Sequence, residues 1–268
     1  MTVAVIGAGM IGGAIAKSLL EQGYGDRVIA TRRSLEKIKY LEELGALILK
    51  DNRRAAAQSD LVILCVKPRD MKGVLKEISQ EIGGKLVIST AAALPLQFYK
   101  SLVPKARFVR CMPNVAVLVR ESFTAYCCDP DVTPEDRERV KRVFDVMGKH
   151  EEVEERHMDA ITGLSGSGPA YIALIIEAMM YAGLKVGLPR DLALYSSAQT
   201  VVGTGKLVLE AKKPSSEIKE MVLTPAGTTI EGIYELENGG IRTAIMRAVE
   251  SATKKSEKIV ANLIQNNP

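Results

Sequence analysis

Six short apolar runs, TVAVIG, RVIAT, ALILK, DLVILCV, KLVIST and RFVRCM, recur through the first part of the chain, separated by stretches with helical spacing of apolar residues. Most of each run is apolar on consecutive rather than alternate positions, the pattern of a strand buried on both faces. Ile11–Gln22, Leu35–Leu44 and Met71–Ile82 read as intervening helices, the second opened by Ser34 as N-cap. Strand and helix in alternation require crossovers, and hence a parallel, doubly wound sheet. FTAYCC and HEEVEE read as later strands that finish it. Beyond Met158 the strand pattern gives out, and Ala170–Leu184, Arg190–Ala211, Thr229–Leu236 and Ile241–Ile264 all carry helical spacing. The chain therefore reads as α/β, with an N-terminal doubly wound sheet domain over residues 1–156 and an all-helical domain over 157–268. Within the second domain, AYIALIIEAMMYAGL is apolar almost all round. That predicts either the central helix of its core or a helix packed on a second subunit.

Composition narrows the class. At 268 residues and 47% hydrophobic content the chain can bury a large core. The net charge of +4 is small, and the basic pairs Arg32-Arg33, Arg53-Arg54, Lys212-Lys213 and Lys254-Lys255 stand among acidic neighbours, which argues against a nucleic-acid partner. Cys65, Cys111, Cys127 and Cys128 have no metal or redox spacing and two histidines cannot complete a metal site, so reduced thiols, no metal and a cytoplasmic location are expected. The apolar start MTVAVIGAGMIGGAIAKSLL lacks the cation that precedes a secretory apolar run, its first being Lys17. No other window has the uninterrupted apolar length of a membrane span, so no membrane partner is expected.

The first candidate chemistry follows the first strand. Ile6 leads into Gly7-Ala8-Gly9-Met10-Ile11-Gly12, which opens the first helix. The first glycine permits the tight turn, the second lets a pyrophosphate approach the backbone, and the third lets helix pack on strand. This is the Rossmann arrangement for a dinucleotide. After the second strand, where a carboxylate would hold the ribose 2′-hydroxyl of NAD, the chain reads ATRRS. Arg32 and Arg33 there favour the 2′-phosphate of NADP, the plainer alternative being that one or both are solvated surface arginines. Loops leaving later strands should border the same crevice: Cys65-Val66-Lys67-Pro68, Ser89-Thr90-Ala91-Ala92 and Met112-Pro113-Asn114.

The second candidate is LTPAGTTIEG, Leu223 to Gly232, where three threonines and two glycines interrupt a helical pattern. A helix start rich in small residues offers free N–H donors to a carboxylate, and hydroxyls can donate to or accept from an imine nitrogen. The plainer reading is that Thr224 and Thr228 cap the helix.

Together, GAGMIGGAI, CVKP, RCMPN, DAITGLSGSGPAY, AGLKVGLPR, TPAGTT and LENGGIRTAIMRAVESA closely resemble pyrroline-5-carboxylate reductase over nearly the whole chain. The resemblance implies reduction of L-1-pyrroline-5-carboxylate to L-proline with NAD(P)H, NADPH being preferred and NADH the alternative, in the last step of proline synthesis. It also implies that the helical domain forms homodimers, which associate into larger rings in many family members. Substrate binding then falls on Thr224, Gly227, Thr228 and Thr229. Thr229, or a water it orders, then orients the ring nitrogen, and because a cyclic imine can be reduced as the iminium, which already carries its proton, the absence of an evident general acid is consistent with the reaction. The chain departs from the family in reading Ala93 and Ala226 where glycine is usual, Thr224 for serine, and Val115-Ala116 for Thr-Pro. The alanines matter if the backbone there takes φ > 0. A β-hydroxyacid dehydrogenase on a similar plan would instead need a lysine within the AYIALIIEAMM helix, and the nearest, Lys185, lies past its expected end.

Overall fold

The computed structural model describes residues 1–265, and their contacts divide the chain into two compact units, Met1–Ser167 with the chain from Glu250 onward, and Gly168–Val249. In the first unit the strands β1 (Thr2–Ile6), β2 (Arg27–Thr31), β3 (Leu47–Leu49), β4 (Leu61–Leu64), β5 (Leu86–Ser89), β6 (Arg107–Met112), β7 (Ser122–Cys128) and β8 (Gly148–Glu152) form one sheet. Their order is β3-β2-β1-β4-β5-β6-β7-β8. The helices between them are α1 (Met10–Glu21), α2 (Lys39–Glu43), α3 (Asn52–Ala57), α4 (Pro68–Ile82), α5 (Leu96–Leu102) and α6 (Pro134–Asp145), followed by α7 (Met158–Ile161) and a π-helical turn at Thr162–Gly166.

Strands β1 to β6 pair in parallel and are flanked by two apolar layers. One holds Val3, Val5, Ile15, Leu19, Ile63 and Ile88, the other Ala4, Ile6, Val62, Leu75, Val87 and Phe108. Burial on both faces explains why the strands read as continuous apolar runs. Strand β7 departs from the parallel expectation: it runs antiparallel to β6, with Cys111 opposite Tyr126, and β8 pairs parallel to β7. The short link after β6, a 3-10 turn at Val115–Val119, is too small for a crossover and allows the chain to reverse directly. Leu35–Leu44 is a 3-10 turn followed by the single turn α2, and Ser34 makes no side-chain capping bond. Arg110, within β6 and flanked by apolar residues, is buried and pairs with Glu155 at 3.1 Å.

The second unit holds α8 (Gly168–Lys185), α9 (Arg190–Leu209), α10 (Ser215–Met221), α11 (Thr228–Asn238) and the start of α12 (Ile241–Gln265). α8 and α9 pack closely where Gly183 faces Ala193; a Cβ at Gly183 would lie 2.8 Å from the alanine methyl. The central-core expectation for α8 fails, because within the chain Met180 is its one buried residue, with Ile172, Leu174 and Tyr181 exposed. The helix Glu155–Lys185 is also long and apolar enough, by length and composition, to cross a membrane. A count of uninterrupted apolar residues misses this, because Ser, Gly and Glu177 break the run without removing its average character. Lys185 is the last residue of α8 rather than a residue past it.

Candidate active site

Strand order reverses between β1 and β4, which opens a crevice at their carboxyl ends, and the glycine turn lies there. Ile6 ends β1, Gly7 to Gly9 turn, and Met10, Ile11 and Gly12 begin α1. Gly7 has φ +90°, and a Cβ on it would sit 2.7 Å from Val66 Cγ1. A Cβ on Gly12 would sit 2.6 Å from the Gly7 carbonyl oxygen and 2.8 Å from Cys65 Cβ. Both positions exclude every side chain. Around Gly9 the space is open, the nearest atom to a Cβ there being 3.9 Å away. α1 has no side-chain cap and no acidic residue in its first turn. The turn is thus closed on the sheet side, open on the outer side, and presents unpaired N–H groups, which is the shape a pyrophosphate fits.

Thr31 secures the turn from β2: its carbonyl oxygen accepts from the N–H groups of Gly7 and Ala8 at 3.2 and 2.8 Å. Its hydroxyl donates to Asn52 Oδ1 at 2.7 Å, and Asn52 Nδ2 donates to Glu77 at 3.0 Å. Asn52 carries no local sequence signal, since its role depends on two other elements. Arg32 and Arg33 separate. Arg32 Nη1 donates to the Ala8 carbonyl at 3.1 Å, beside the turn, whereas Arg33 is 94% exposed and lies 3.7 Å from Asp70 in the first turn of α4.

The later loops reach the same edge of the sheet. Cys65 and Val66 back the glycine turn, Lys67 is exposed, and Pro68 begins α4. Burial pushes the Cys65 thiol up to about 12, against the opposing hydrogen bond with Thr90, so a neutral thiol lies under the turn at physiological pH. Ala91 is buried and Ala92 half-buried after β5, and Ala93 follows with φ +69°. The side chain of Asn114 is engaged within the protein. Its Oδ1 accepts from the Ala116 N–H at 3.0 Å, and its Nδ2 donates to the Ser165 carbonyl at 3.2 Å, which ties β6 to the π-helical turn.

In the helical unit, Thr224-Pro225-Ala226-Gly227 forms a turn closed by the Gly227 N–H donating to the Thr224 carbonyl at 3.0 Å. Pro225 at its second position and Ala226 with φ +56° at its third match a type II turn. Thr224 Oγ1 occupies the space where a Cβ on Gly227 would be. Gly227 is the N-cap of α11, and no side chain caps that helix. The hydroxyls of Thr224, Thr228 and Thr229 are therefore not consumed in capping, and the first-turn N–H groups stay available. Thr228 is exposed and Thr229 half-buried.

Comparison with known proteins follows this geometry. A reductase of Methanosarcina acetivorans named pyrroline-5-carboxylate reductase is 40% identical over 262 residues, covering 96% of this chain and 97% of its own. This chain belongs to the pyrroline-5-carboxylate reductase family. The model of pyrroline-5-carboxylate reductase dimerisation matches residues 155–259, and that of NADP oxidoreductase, coenzyme F420-dependent, matches 2–93. Among solved structures of the reductase family, the Coxiella burnetii protein is 31% identical, with a TM-score of 0.90, and covers 96% of this chain and 97% of that one. The Plasmodium falciparum pyrroline carboxylate reductase with NADP bound is 29% identical, with a TM-score of 0.88, and covers 97% of this chain and 98% of that one.

Proposed function

We propose that the protein reduces L-1-pyrroline-5-carboxylate to L-proline, the last step of proline biosynthesis, with NADPH as preferred reductant and NADH as alternative. The observation that carries this reading is the 40% identity along 96% of the chain with a relative of that name. The glycine turn supports it, being closed at Gly7 and Gly12 and open at Gly9, as a dinucleotide requires. Residues 1–156 then form the nucleotide-binding half and 157–268 the helical half. The reductant, when bound, supplies the hydride that saturates the ring's carbon–nitrogen double bond.

The chain's own part is positioning. Uncapped N–H groups at the start of α11, with Gly227 and the hydroxyls of Thr224 and Thr228 beside them, hold the substrate carboxylate at the positive end of the helix. Thr229 directs its hydroxyl to the ring nitrogen. A substrate that enters as the iminium already carries the proton that proline keeps, so orientation is the principal contribution. The homodimer joins through the apolar α8, and a ring of dimers extends it. Four free cysteines suit a reducing compartment, and the cytoplasm is the location we propose.

Following NADPH and then NADH absorbance with pyrroline-5-carboxylate tests the reaction, and absence of turnover with both reductants removes it. Thr229→Ala should lower kcat by about tenfold to a hundredfold, as loss of a hydrogen bond to a charged partner does. NADPH affinity should stay within about twofold, because the nucleotide is held by other residues, and Thr229→Ser should restore most of the rate. An unchanged kcat in the alanine variant excludes Thr229 from the reaction.

A further inference from the structure

We propose that Lys17 and Tyr40, together with Arg32, form the seat of the cofactor's 2′-phosphate and set its preference over an unphosphorylated ribose, a proposal that rests on dinucleotide binding at the glycine turn. A cavity of about 480 Å³ begins at Gly9 and Met10 and continues along α1 past Ala14 to Lys17, with Arg32, Tyr40 and Leu118 as its other walls. Met10, Ala14 and Lys17 stand at i, i+4 and i+7, so the cavity follows one stripe of the helix. Ala14 is small enough to leave that stripe open. Gly13, one residue earlier, has no side chain to hold Tyr40 away; a Cβ there would lie 2.6 Å from the phenol oxygen. The hydroxyl therefore rests against α1 at the cavity wall.

The charges decide what this cavity receives. Its lining contains two cations and a phenol, and no carboxylate. A phosphate monoester carries about −1.5 to −2 at neutral pH and is best matched by more than one cation. The tandem arginines do not supply both: Arg32 lines the cavity and donates to the Ala8 carbonyl, whereas Arg33 is not part of its lining and lies out in solvent near Asp70. Lys17 is the second cation. It lines the same cavity as Gly9 and Met10, two turns along α1, and its flexible four-carbon stem leaves the ammonium free to swing into it. Its partner in the chain is Glu21, one turn further on, at 3.5 Å and half in solvent. An exposed pair of that kind contributes little, so exchanging it for a phosphate dianion is favourable.

Titration calorimetry of the full-length protein with 2′,5′-ADP and with 5′-AMP tests the seat without turnover. The native protein should bind 2′,5′-ADP more tightly. Lys17→Met should weaken it about tenfold and Tyr40→Phe about fivefold, with 5′-AMP unchanged, as expected for losing one charged and one neutral hydrogen bond. Lys17→Arg should keep the selectivity. In steady state, KM for NADPH should rise in the first two variants while KM for NADH does not. Equal losses with both nucleotides, or none with either, overturn the proposal. Selective binding that Lys17→Met abolishes, in a protein that fails to reduce pyrroline-5-carboxylate, supports the seat and overturns only the assigned reaction.

Discussion

Ala226 and Ala93 have φ of +56° and +69°, where a Cβ crowds the following carbonyl at a cost of about 1–2 kcal/mol relative to the ordinary helical region. Both lie in loops that carry proposed site residues, one beside Gly227 and the other beside Ala91 and Ala92. Glycine at either place relieves the strain but frees the unfolded chain by about 0.4–1 kcal/mol. At exposed Ala226 relief prevails, and Ala226→Gly should raise stability by about 0.5 kcal/mol, read as a higher urea midpoint at constant slope. Ala93 is only 3% exposed, so glycine there also forfeits about 0.8 kcal/mol of methyl burial and should leave the midpoint near its native value. The identity of these residues is plain in the sequence, but the sign of their φ is not, because turn closure by partners three residues apart sets it.

At the scale of the element, helix starts here follow three different chemistries. α4 begins with Pro68 and an exposed Lys67 that makes no cap, and α1 and α11 begin uncapped at Gly9 and Gly227, where ligands are proposed to bind. α6 instead has a complete capping box, in which Thr133 accepts from the Asp136 N–H at 3.1 Å and Asp136 accepts from the Thr133 N–H at 3.3 Å. Asp136 also receives Arg107 from β6 at 2.5 Å and sits below the ordinary carboxylate range; burial opposes that shift, and the hydrogen bonds from Arg107 and Thr133 prevail. Thr133→Ala should therefore cost about 1 kcal/mol by chemical denaturation, with kinetics unchanged. The alternation of apolar runs does not predict α3, α5, α6 or α10, since each is short or strongly polar. For α6 the signal was nonetheless local, in Thr133-Pro134-Glu135-Asp136.

For the whole molecule the informative feature is what α8 leaves uncovered. Ile172, Leu174 and Tyr181 on α8 and Leu192, Tyr195 and Val202 on α9 are all exposed in the single chain. A helix so apolar needs a partner, and the match of residues 155–259 to a dimerisation model supports a second copy of this chain. The protein should sediment as a dimer or larger assembly at micromolar concentration. Leu174→Asp should shift it to monomer by analytical ultracentrifugation, because burying an unpaired carboxylate in the interface costs several kcal/mol. A native protein that sediments as a monomer at that concentration excludes the proposed interface.

The nucleotide-binding half was legible from residues alone because its signals are local. Buried strands are apolar at every position, helices repeat at their own period, and three glycines mark a turn within six residues. The threonine stretch was legible as a helix start, and the resemblance supplied its chemistry. Tertiary structure decided the rest. It separated Arg32 from Arg33, brought Lys17 and Tyr40 to one cavity, committed Asn114 to the π-helical turn, reversed β7, and exposed a helix that hydrophobicity alone would bury. Each of these depends on where distant segments meet, and the order of residues along one segment holds no record of that.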